Sequence, residues 1–271
     1  MSKLPITLLV ITYNEAEHIA RCLDSVPFAA EKIVIDSGST DDTVPIAERH
    51  GARVIKQPWL GFGAQRNFAS TQAAHDWILF LDADEALTAE LAQELEQALP
   101  KLLQSDIAAG VLLRTAWFMG KPLRWYRLLV KEKKARLYHR HRAQWADVRV
   151  HESLRYTGRD ITFKHPFLHY LNPTLAHAEL KYLRYSELKA RDWLDRQRST
   201  RPWEWPLVFL STFFKDYVLR LAMLDGWRGW IAAYSAANYA VYKRIRYYEM
   251  CTYPESKELA DAVLKKHDLM R

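Results

Sequence analysis

The sequence of 271 residues is poor in cysteine, glycine and proline, and it contains no long uninterrupted apolar run. Its two cysteines, Cys22 and Cys251, lie far apart and in no metal-type spacing, which excludes a disulfide scaffold and a zinc module and favours a reducing compartment. The 9 glycines and 11 prolines are scattered, which excludes a low-complexity chain. No stretch reaches the roughly 18–20 apolar residues of a membrane-spanning helix. The N-terminus lacks the layout of a signal peptide, so we expect a cytoplasmic location.

Apolar and charged residues are abundant, and the charges are unevenly distributed. Hydrophobic residues make up 49% of the chain and aromatic residues 13%, enough for a sizeable core. Residues 1–100 carry 7 Lys or Arg against 15 Asp or Glu, residues 121–164 carry 13 against 4, and residues 165–271 carry 17 against 12. A nucleic-acid-binding protein would explain the basic stretch but not the acidic first hundred residues. We expect metal or sugar chemistry in the acidic part and an anionic partner for the basic part.

The first hundred residues alternate between strand-like and helical patterns, which predicts an α/β fold with a mostly parallel sheet flanked by helices. The predicted strands are Ile6–Thr12, Lys32–Ile35, Arg53–Lys56 and Trp77–Leu81. We expect Asn14 to cap the first helix and Asp41 or Asp42 to cap the second. A third helix is expected to begin after Gly63, and a fourth to run over residues 88–99.

Polar clusters follow the first, second and fourth predicted strands. Parallel strands place their carboxyl ends at one edge of the sheet, where ligands bind in such folds. We therefore expect four carboxylates to gather along that edge, those of Glu15, Asp36, Asp82 and Asp84. Because like charges repel unless a cation or a set of donors joins them, this cluster predicts a divalent metal site.

The nucleotide-binding loops of other α/β folds are absent from the sequence. No Gly-x-Gly-x-x-Gly follows the first strand, and no P-loop ending in Gly-Lys-Ser or Gly-Lys-Thr occurs. A diphosphate must therefore be neutralised in another way. Asp82-x-Asp84 with Mg²⁺ or Mn²⁺ supplies one, because hard oxygen ligands leave positions open for phosphate oxygens. A nucleotidyltransferase, which would carry a glycine-rich basic loop after its first strand, is an alternative of another class, as is a nucleic-acid-binding protein.

Four motifs in this order resemble the family 2 glycosyltransferases of GT-A fold. They are Thr12-Tyr13-Asn14-Glu15, Asp36-Ser37-Gly38-Ser39-Thr40-Asp41-Asp42-Thr43, Gly61-Phe62-Gly63-Ala64-Gln65-Arg66-Asn67 and Asp82-Ala83-Asp84-Glu85. Three later features resemble the bacterial lipopolysaccharide inner-core β-1,4-glucosyltransferases: Arg136-Leu137-Tyr138, Val150-His151-Glu152 and Leu224-Asp225-Gly226. The resemblance implies a GT-A catalytic domain over residues 1–170, with a nucleotide-sugar-binding half (1–100) and an acceptor-side half (101–170). A helical, aromatic-rich C-terminal region over residues 171–271 would follow.

The resemblance also implies an activity and the residues that serve it. The implied reaction is inverting, metal-dependent transfer of a sugar, glucose for this branch, from a UDP-sugar to a hydroxyl of a lipopolysaccharide inner-core heptose. Polyprenyl phosphate or another glycan is the alternative acceptor. The implied nucleotide-sugar-binding residues are Thr12, Tyr13, Asn14, Glu15, Asp36, Gly38, Ser39, Gln65, Arg66, Asp82, Ala83 and Arg136. Asp84 and Asp82 would hold Mg²⁺ or Mn²⁺, and Glu152 would be the catalytic base, with Asp147 as the next candidate.

Several of these residues have a structural alternative. Asp36 and Ser37 could build an Asx turn, Arg66 could be a solvated helix charge, and Glu152 could form a surface ion pair. The Gln-x-x-Arg-Trp motif of processive family members has no counterpart, since the glutamine three residues before Arg124-Trp125 is missing. The resemblance therefore implies that one sugar is transferred per encounter.

Residues 200–250 show two amphipathic, aromatic-rich patterns. One face of the first predicted helix carries Leu210, Phe213, Phe214, Tyr217, Val218, Leu221 and Leu224. Gly226 and Gly229 are expected to break the chain before a second helix over residues 230–248. Wide apolar faces edged by Trp, Tyr and Arg suit a peripheral, interfacial helix beside anionic lipid. The family resemblance implies that this surface is the inner face of the inner membrane. Packing within the protein or a homo-oligomer interface is the alternative, and both stay open at this point.

Overall fold

A computed structural model describes residues 3–128, 132–146, 153–172 and 174–266. The chain divides into two units. The first comprises Met1–Ala116 with Lys131–Tyr170, and the second comprises Trp117–Val130 with Leu171–Arg271. The segment after Ala116 therefore groups with the C-terminal helices.

Strands and helices alternate through the first part of the chain. The strands are β1 (Leu4–Thr12), β2 (Ala29–Asp36), β3 (Arg53–Lys56), β4 (Trp77–Asp82), β5 (Glu85–Leu87), β6 (Ile107–Phe118), β7 (Lys121–Pro122), β8 (Glu132–His139), β9 (Ala143–Trp145), β10 (Leu154–Tyr156) and β11 (Arg159–Asn172). The helices among them are α1 (Ile19–Asp24), α2 (Thr43–Arg49), α3 (Phe62–Thr71) and α4 (Ala89–Leu102). All four strands predicted over the first hundred residues are present.

Nine strands form one sheet in the order β3-β2-β1-β4-β8-β6-β11-β5, with β7 beside β6. The pairs β2–β3, β1–β2 and β1–β4 are parallel, as predicted. The pairs β4–β8, β6–β8 and β5–β11 are antiparallel. The sheet therefore has a parallel half, β3-β2-β1-β4, and a half whose strands pair antiparallel. The predicted α/β class is confirmed. The antiparallel half was not predicted, because no crossover helices mark its strands in the sequence.

Alternate residues of β1 face two separate apolar cores. Leu8 and Val10 pack in the core that includes α1 and α4, whereas Leu9 and Ile11 pack in the core that includes α3. A strand buried on both faces must be apolar at successive positions, which explains the uninterrupted run over residues 8–11. The rigid sheet therefore fixes the position of the residues that follow its strands.

Two of the three predicted helix starts differ from the structure. Asn14 does not cap α1, whose N-cap is His18; instead Asn14 has a φ of 54° and its Oδ1 accepts from the backbone N–H of Thr40 at 2.8 Å. At Asn14 a bond to a distant loop therefore replaces the expected local cap. Helix α3 begins at Phe62, before Gly63. The N-cap residue of α2 is Asp42, one of the two predicted residues, and Oδ1 of its neighbour Asp41 accepts the Thr43 N–H at 3.0 Å.

The second unit is helical. It contains α5 (Leu175–Asp195), α6 (Glu204–Phe214), a π-helical turn (Lys215–Leu219), a 3₁₀ turn (Ala222–Asp225), α7 (Gly226–Thr252) and α8 (Ser256–Lys266). The predicted first helix through residue 224 is wrong, because α6 ends at Phe214 and Leu221 adopts a φ of 62°. Among the helices of the described residues, none combines the length and apolar character that crossing a bilayer requires.

The predicted break at Gly229 is also wrong, because this glycine lies inside α7. It is required by close packing rather than by a turn. A Cβ at Gly229 would lie 1.7 Å from the carbonyl oxygen of Ala222, far inside van der Waals contact. Gly226, in contrast, has a φ of 64° where α7 begins, a conformation that glycine adopts at no steric cost.

Candidate functional site

The strand register brings the predicted site segments to one edge of the sheet. Thr12 pairs with Asp36 across β1 and β2, and Ile11 pairs with Asp82 across β1 and β4. The loops after these three strands therefore start side by side at the carboxyl ends of parallel strands. Oγ1 of Thr12 is buried there and has no hydrogen-bond partner among the described residues.

The carboxylate of Asp36 holds the turn that follows β2. The side chain is almost fully buried. Its Oδ2 accepts from the backbone N–H of Gly38 at 3.1 Å, and its Oδ1 accepts from the hydroxyl of Ser39 at 2.5 Å. Gly38 has a φ of 98°, which this tight turn requires. Asp36 therefore forms the Asx-type turn weighed as its structural alternative, while a contact of Asp36, Gly38 or Ser39 with a nucleotide stays a prediction.

The loop after β1 is bound to the loop after β2. The backbone N–H of Asn14 donates to Oγ of Ser39 at 2.8 Å, and that of Glu15 donates to Oγ1 of Thr43 at 2.8 Å. Two of the predicted motifs, Thr12–Glu15 and Asp36–Thr43, thus form one hydrogen-bonded surface that also includes Tyr13. Roles for Thr12, Tyr13, Asn14 and Glu15 in binding a nucleotide stay predictions.

Two arginines pair with Asp82 at the end of β4. Nη2 of Arg66 lies 3.1 Å from Oδ1 of Asp82, and Nη2 of Arg136 lies 2.7 Å from Oδ2. Burial opposes ionisation of Asp82, but the ion pairs with Arg136 and Arg66 outweigh it and hold its pKa well below the ordinary value. Asp82 is therefore a carboxylate whose two oxygens both face guanidinium groups.

Arg136 also pairs with a carboxylate that carries no predicted role. Its Nη2 lies 2.5 Å from Oε1 of the buried Glu85, whose Oε2 accepts from the backbone N–H of Asp82 at 3.1 Å. Burial raises the pKa of Glu85 above the ordinary carboxyl value, against the opposing effect of Arg136. Glu85 thus fixes both the backbone of Asp82 and the guanidinium of Arg136.

The interpretation of Arg66 as a solvated helix charge is wrong. Arg66 is buried, and its guanidinium lies 4.6 Å from the ring centre of Trp145 and 4.8 Å from that of Phe80. Such cation–π contacts orient the planar guanidinium toward Asp82. They also offset part of the free energy that is lost when the charged group is removed from water. Helix α3 therefore holds the positively charged guanidinium of Arg66 in a fixed position beside Asp82.

Gln65 is fully buried and bonds within the protein. Its Oε1 accepts from the N–H of Leu60 at 3.2 Å, and its Nε2 lies 3.2 Å from Oγ of Ser37 and 3.3 Å from the carbonyl oxygen of Gln57. These contacts join the loop before α3 to the turn after β2. A direct contact of Gln65 with ribose or diphosphate stays a prediction, and its observed bonds give it a role in positioning that loop.

Asp84 faces a histidine that the sequence analysis did not identify. Oδ2 of Asp84 lies 3.0 Å from Nε2 of His169, and Nδ1 of His169 is buried without a hydrogen-bond partner among the described residues. His169 pairs with Glu85 in the antiparallel β5–β11 ladder, which carries its side chain to Asp84. No sequence spacing links residues 84 and 169. Only the register of an antiparallel strand, itself not predicted, could have revealed the pair.

The contact of Asp84 with His169 has the length of a hydrogen bond, and the same separation would suit two ligands of a divalent cation. Two adjacent ligands of an octahedral ion with bonds of about 2.1 Å lie about 3.0 Å apart, which matches the observed separation of Oδ2 and Nε2. Within the described residues, no three His, Cys, Asp or Glu side chains converge as a metal-binding group. A cation here would therefore have two protein ligands and take the others from phosphate oxygens and water, as Mg²⁺ usually does.

Comparison with known proteins assigns the family. The model of glycosyl transferase family 2 matches residues 7–163. The chain belongs to this family. A glycosyltransferase of Rickettsia felis, itself uncharacterized, is 32% identical over 239 residues, covering 83% of each chain. The lipopolysaccharide core biosynthesis glycosyltransferase LpsC of Rhizobium meliloti is 29% identical over 262 residues, covering 91% of this chain and 93% of that protein.

A solved structure also aligns with part of this transferase. Glucosyl-3-phosphoglycerate synthase from Mycobacterium tuberculosis, crystallised with Mn²⁺, UDP and glucosyl-3-phosphoglycerate, is 27% identical, with a TM-score of 0.33. The alignment covers 45% of this chain and 46% of that chain. Family membership confirms the predicted resemblance, the GT-A fold and an enzyme that transfers a glycosyl group rather than a nucleotidyl group.

The predicted base of this glycosyltransferase lies outside the described residues. Glu152 and the next candidate, Asp147, both fall in the segment 147–152. Trp145, just before that segment, is described: its backbone N–H donates to Oδ1 of Asn67 on α3 at 3.0 Å, and its carbonyl oxygen accepts from Nδ2 of Asn67 at 2.9 Å. Asn67 follows Arg66 directly, so these two hydrogen bonds hold Trp145 close to Arg66. The assignment of Glu152 stays a prediction.

Proposed function

We propose that this transferase moves glucose from UDP-glucose to a hydroxyl of a lipopolysaccharide inner-core heptose, with inversion and with a divalent metal. The observation that carries the proposal is the arrangement at the end of β4. Asp82 is paired with two arginines there, and two residues further on Asp84 faces His169. Two fixed guanidinium groups and a pair of possible metal ligands, one oxygen and one nitrogen, thus occur together beside the loops after β1 and β2. A nucleoside diphosphate needs both kinds of group.

The chain's own residues divide the work of binding the donor. Arg66 and Arg136 are held in place by Asp82, and Asp36 holds the turn after β2 by accepting from the backbone N–H of Gly38. Asp84 and His169 would hold Mg²⁺ or Mn²⁺. When bound, such an ion neutralises the diphosphate and makes it a better leaving group. Asp82, whose two oxygens face arginines, would orient those arginines and the sugar while Asp84 serves the metal.

Transfer requires a base on the acceptor side of the site. A sugar hydroxyl has a pKa far above 7, so a carboxylate must take its proton as the oxygen attacks the anomeric carbon. We assign this role to Glu152. Placed opposite the leaving diphosphate, a single carboxylate gives in-line displacement and therefore inversion. The absence of a Gln-x-x-Arg-Trp motif supports transfer of one sugar per encounter.

The relative named LpsC supports the acceptor assignment, because the similarity extends over 91% of this chain and is not confined to the donor-binding half. The heptose acceptor is part of a lipid-linked glycan, so we place the reaction at the cytoplasmic face of the inner membrane. Polyprenyl phosphate or another glycan is the second candidate acceptor. An acceptor without a lipid would remove the reason for a membrane location.

Slow hydrolysis of the donor tests this function without any acceptor. The protein is incubated with Mn²⁺ and a panel of UDP-, GDP- and ADP-sugars, and release of the nucleoside diphosphate is measured. We expect hydrolysis of UDP-glucose that stops when the metal is chelated and that Asp84→Ala abolishes. Hydrolysis of a GDP- or ADP-sugar in preference would overturn the donor assignment. Incubation with heptose-bearing core oligosaccharide and with polyprenyl phosphate then distinguishes the two acceptors.

A further inference from the structure

Helix α6 has apolar side chains on two opposite faces. One face packs against α7 through aromatic pairs: Trp205 with Tyr248 at 5.6 Å between ring centres, Phe209 with Tyr234 at 5.8 Å, and Phe213 with Trp230 at 6.1 Å. This face accounts for how α6 is held in the second unit. It leaves the opposite face without a function in folding.

The opposite face carries four large apolar side chains in one line. They are Trp203, Leu207, Leu210 and Phe214, and we name them the α6 stripe. Their spacing of four, three and four residues places them on one side of the helix. They are exposed by 62%, 57%, 61% and 55% respectively. A contiguous row of this size exposed to water marks an interaction site.

Positive charge lies at both ends of the α6 stripe. Arg201 precedes the helix and Lys215 follows it; both are exposed, and neither has an ion-pair partner among the described residues. The acidic residue next to Lys215, Asp216, is buried and paired with Arg220 at 2.6 Å, so it does not offset Lys215. Only Glu204 of α6 carries a negative charge. The stripe is therefore an apolar surface with a basic residue at each end.

We propose that α6 lies flat in the surface of an anionic phospholipid bilayer, with Leu207, Leu210 and Phe214 of the α6 stripe inserted among the acyl chains. The 11 residues of α6 extend about 16 Å, roughly half the thickness of a bilayer core, so the helix lies in the plane and does not cross it. Trp203 sits at the level of the headgroups, where tryptophan is enriched. Arg201 and Lys215 reach lipid phosphates at the two ends.

Charge distinguishes a bilayer from a second copy of the chain. If two copies met through the α6 stripe, Arg201 and Lys215 of both copies would lie in the same interface, where Glu204 is the one acidic side chain that each α6 could offer them. An anionic lipid surface supplies negative charge for both Arg201 and Lys215, at the two ends of the α6 stripe. The proposal concerns the second unit alone and does not depend on which sugar or acceptor the enzyme uses.

Vesicle sedimentation of the full chain tests the proposal. The stripe variant is Leu207→Glu with Leu210→Glu. Its matched control is Leu259→Glu with Val263→Glu on α8, where the original side chains are exposed by 58% and 55% and the added charge is the same. We expect wild type and the α8 variant to bind phosphatidylcholine–phosphatidylglycerol vesicles, and the stripe variant to bind at least tenfold more weakly. Binding should weaken as salt rises, and Arg201→Gln should reduce it roughly fivefold.

Three outcomes would overturn the proposal. The first is that wild type does not bind anionic vesicles at low salt, and the second is that the stripe and α8 variants bind vesicles alike. The third is a dimer, detected by light scattering at micromolar concentration, that only the stripe variant loses while vesicles remain unbound. UDP-glucose hydrolysis is measured on the same samples. If the stripe variant still hydrolyses UDP-glucose but no longer binds vesicles, the α6 stripe acts in membrane binding alone. If wild type itself does not hydrolyse UDP-glucose, it is the proposed reaction that fails and not the membrane proposal.

Discussion

His169 and Asp84 are 85 positions apart in the sequence, and Nε2 of the imidazole lies 3.0 Å from Oδ2 of the carboxylate. The pairing of β5 with β11 holds them together, since His169 is in register with Glu85, the residue after Asp84. A metal-dependent donor site would thus take one ligand from the loop after a parallel strand and one from an antiparallel strand. The pair joins the loop after a parallel strand to the antiparallel half of the sheet.

We predict that His169→Ala weakens metal-dependent UDP binding at least tenfold, because it removes one of two protein donors to the cation. Asp84→Ala should do the same or more. Isothermal titration with UDP, with and without Mn²⁺, is the measurement. His165→Ala is the matched control, since His165 lies on the same strand and pairs with Glu94 at 2.9 Å. Unchanged affinity in both site variants would place the ion elsewhere.

Glu152→Gln is expected to keep the fold and the affinity for UDP-glucose, because the shape of the side chain is retained. Transfer to the acceptor should fall by roughly 10²–10⁴, the usual contribution of a general base. The fall should appear in kcat and in kcat/KM alike, which steady-state kinetics can separate. Near wild-type transfer would dismiss Glu152 and make Asp147 the next variant. Loss of UDP binding as well would mean that Glu152 has a structural role.

Gln65→Ala should lower the free energy of unfolding by about 1–3 kcal/mol, because it leaves the N–H of Leu60 and its other partners unpaired. Urea denaturation measures the change. Gln72→Ala at the end of the same helix is the control, since its Nε2 bonds only to the neighbouring Thr71 in an exposed position. If Gln65 only contacted the nucleotide, stability would be equal in the two variants and only UDP affinity would differ.

Glu31 gives the first unit a pH-dependent stability. Its Oε2 accepts from Oγ1 of Thr7 and from the N–H of Ala74, each at 2.7 Å. Burial opposes ionisation, but these hydrogen bonds and Arg53 lower the pKa of Glu31 below the ordinary value. A lowered pKa stabilises the fold above the unfolded-state value near 4.5 and loses that effect as pH falls through the folded-state value.

Glu31→Gln should therefore be less stable than wild type by about 1–2 kcal/mol at pH 7, with allowance for its partial exposure. The difference should shrink as pH falls below about 4.5, where the unfolded chain takes up a proton at Glu31, and should be lost as pH falls through the lower folded-state pKa of Glu31. Urea denaturation at pH 7, 5 and 3.5 is the measurement. A difference that stays constant over this range would assign the effect to packing rather than to the charge.

Gly229→Ala should destabilise the second unit, although alanine in a helix normally gains about 1 kcal/mol over glycine. The added Cβ would meet the carbonyl oxygen of Ala222, and relieving that overlap is expected to cost about 1–3 kcal/mol or more. Asn238→Ala on the same helix is the control and should be neutral or slightly stabilising. Thermal unfolding measures both, and a raised Tm for Gly229→Ala would show that the 3₁₀ turn moves away at no cost.

The sequence predicts the parallel half of the sheet because each of its strands is an apolar run followed by a polar cluster. Asp82 and Asp84 could be placed at the sheet edge for the same reason. The partners of these residues could not be placed. Arg136 was identified only through a family motif, and His169 not at all, since both lie on strands whose pairing is antiparallel and distant in sequence.

Local patterns misled where a long-range bond replaced a local one. Asn14 has the sequence context of a helix cap, but its carboxamide bonds to Thr40 and its backbone to Ser39. Gly229 looks like a break, yet it marks close packing against Ala222. In both cases the residue that decides the local structure is brought close by tertiary packing. The periodicity of the sequence carries no information about such contacts.

The ion pairs of Asp82 have a consequence for the order in which the enzyme is made. Arg136 lies on β8, so a nascent chain that has emerged only through α4 carries Asp82 and Glu85 with Arg66 but without the second guanidinium, which pairs with both carboxylates. The negative charge of the two carboxylates is then less completely balanced until β8 pairs with β4. The proposed donor site would therefore be completed late in synthesis, and we expect that ribosome-bound chains ending before residue 132 do not bind UDP.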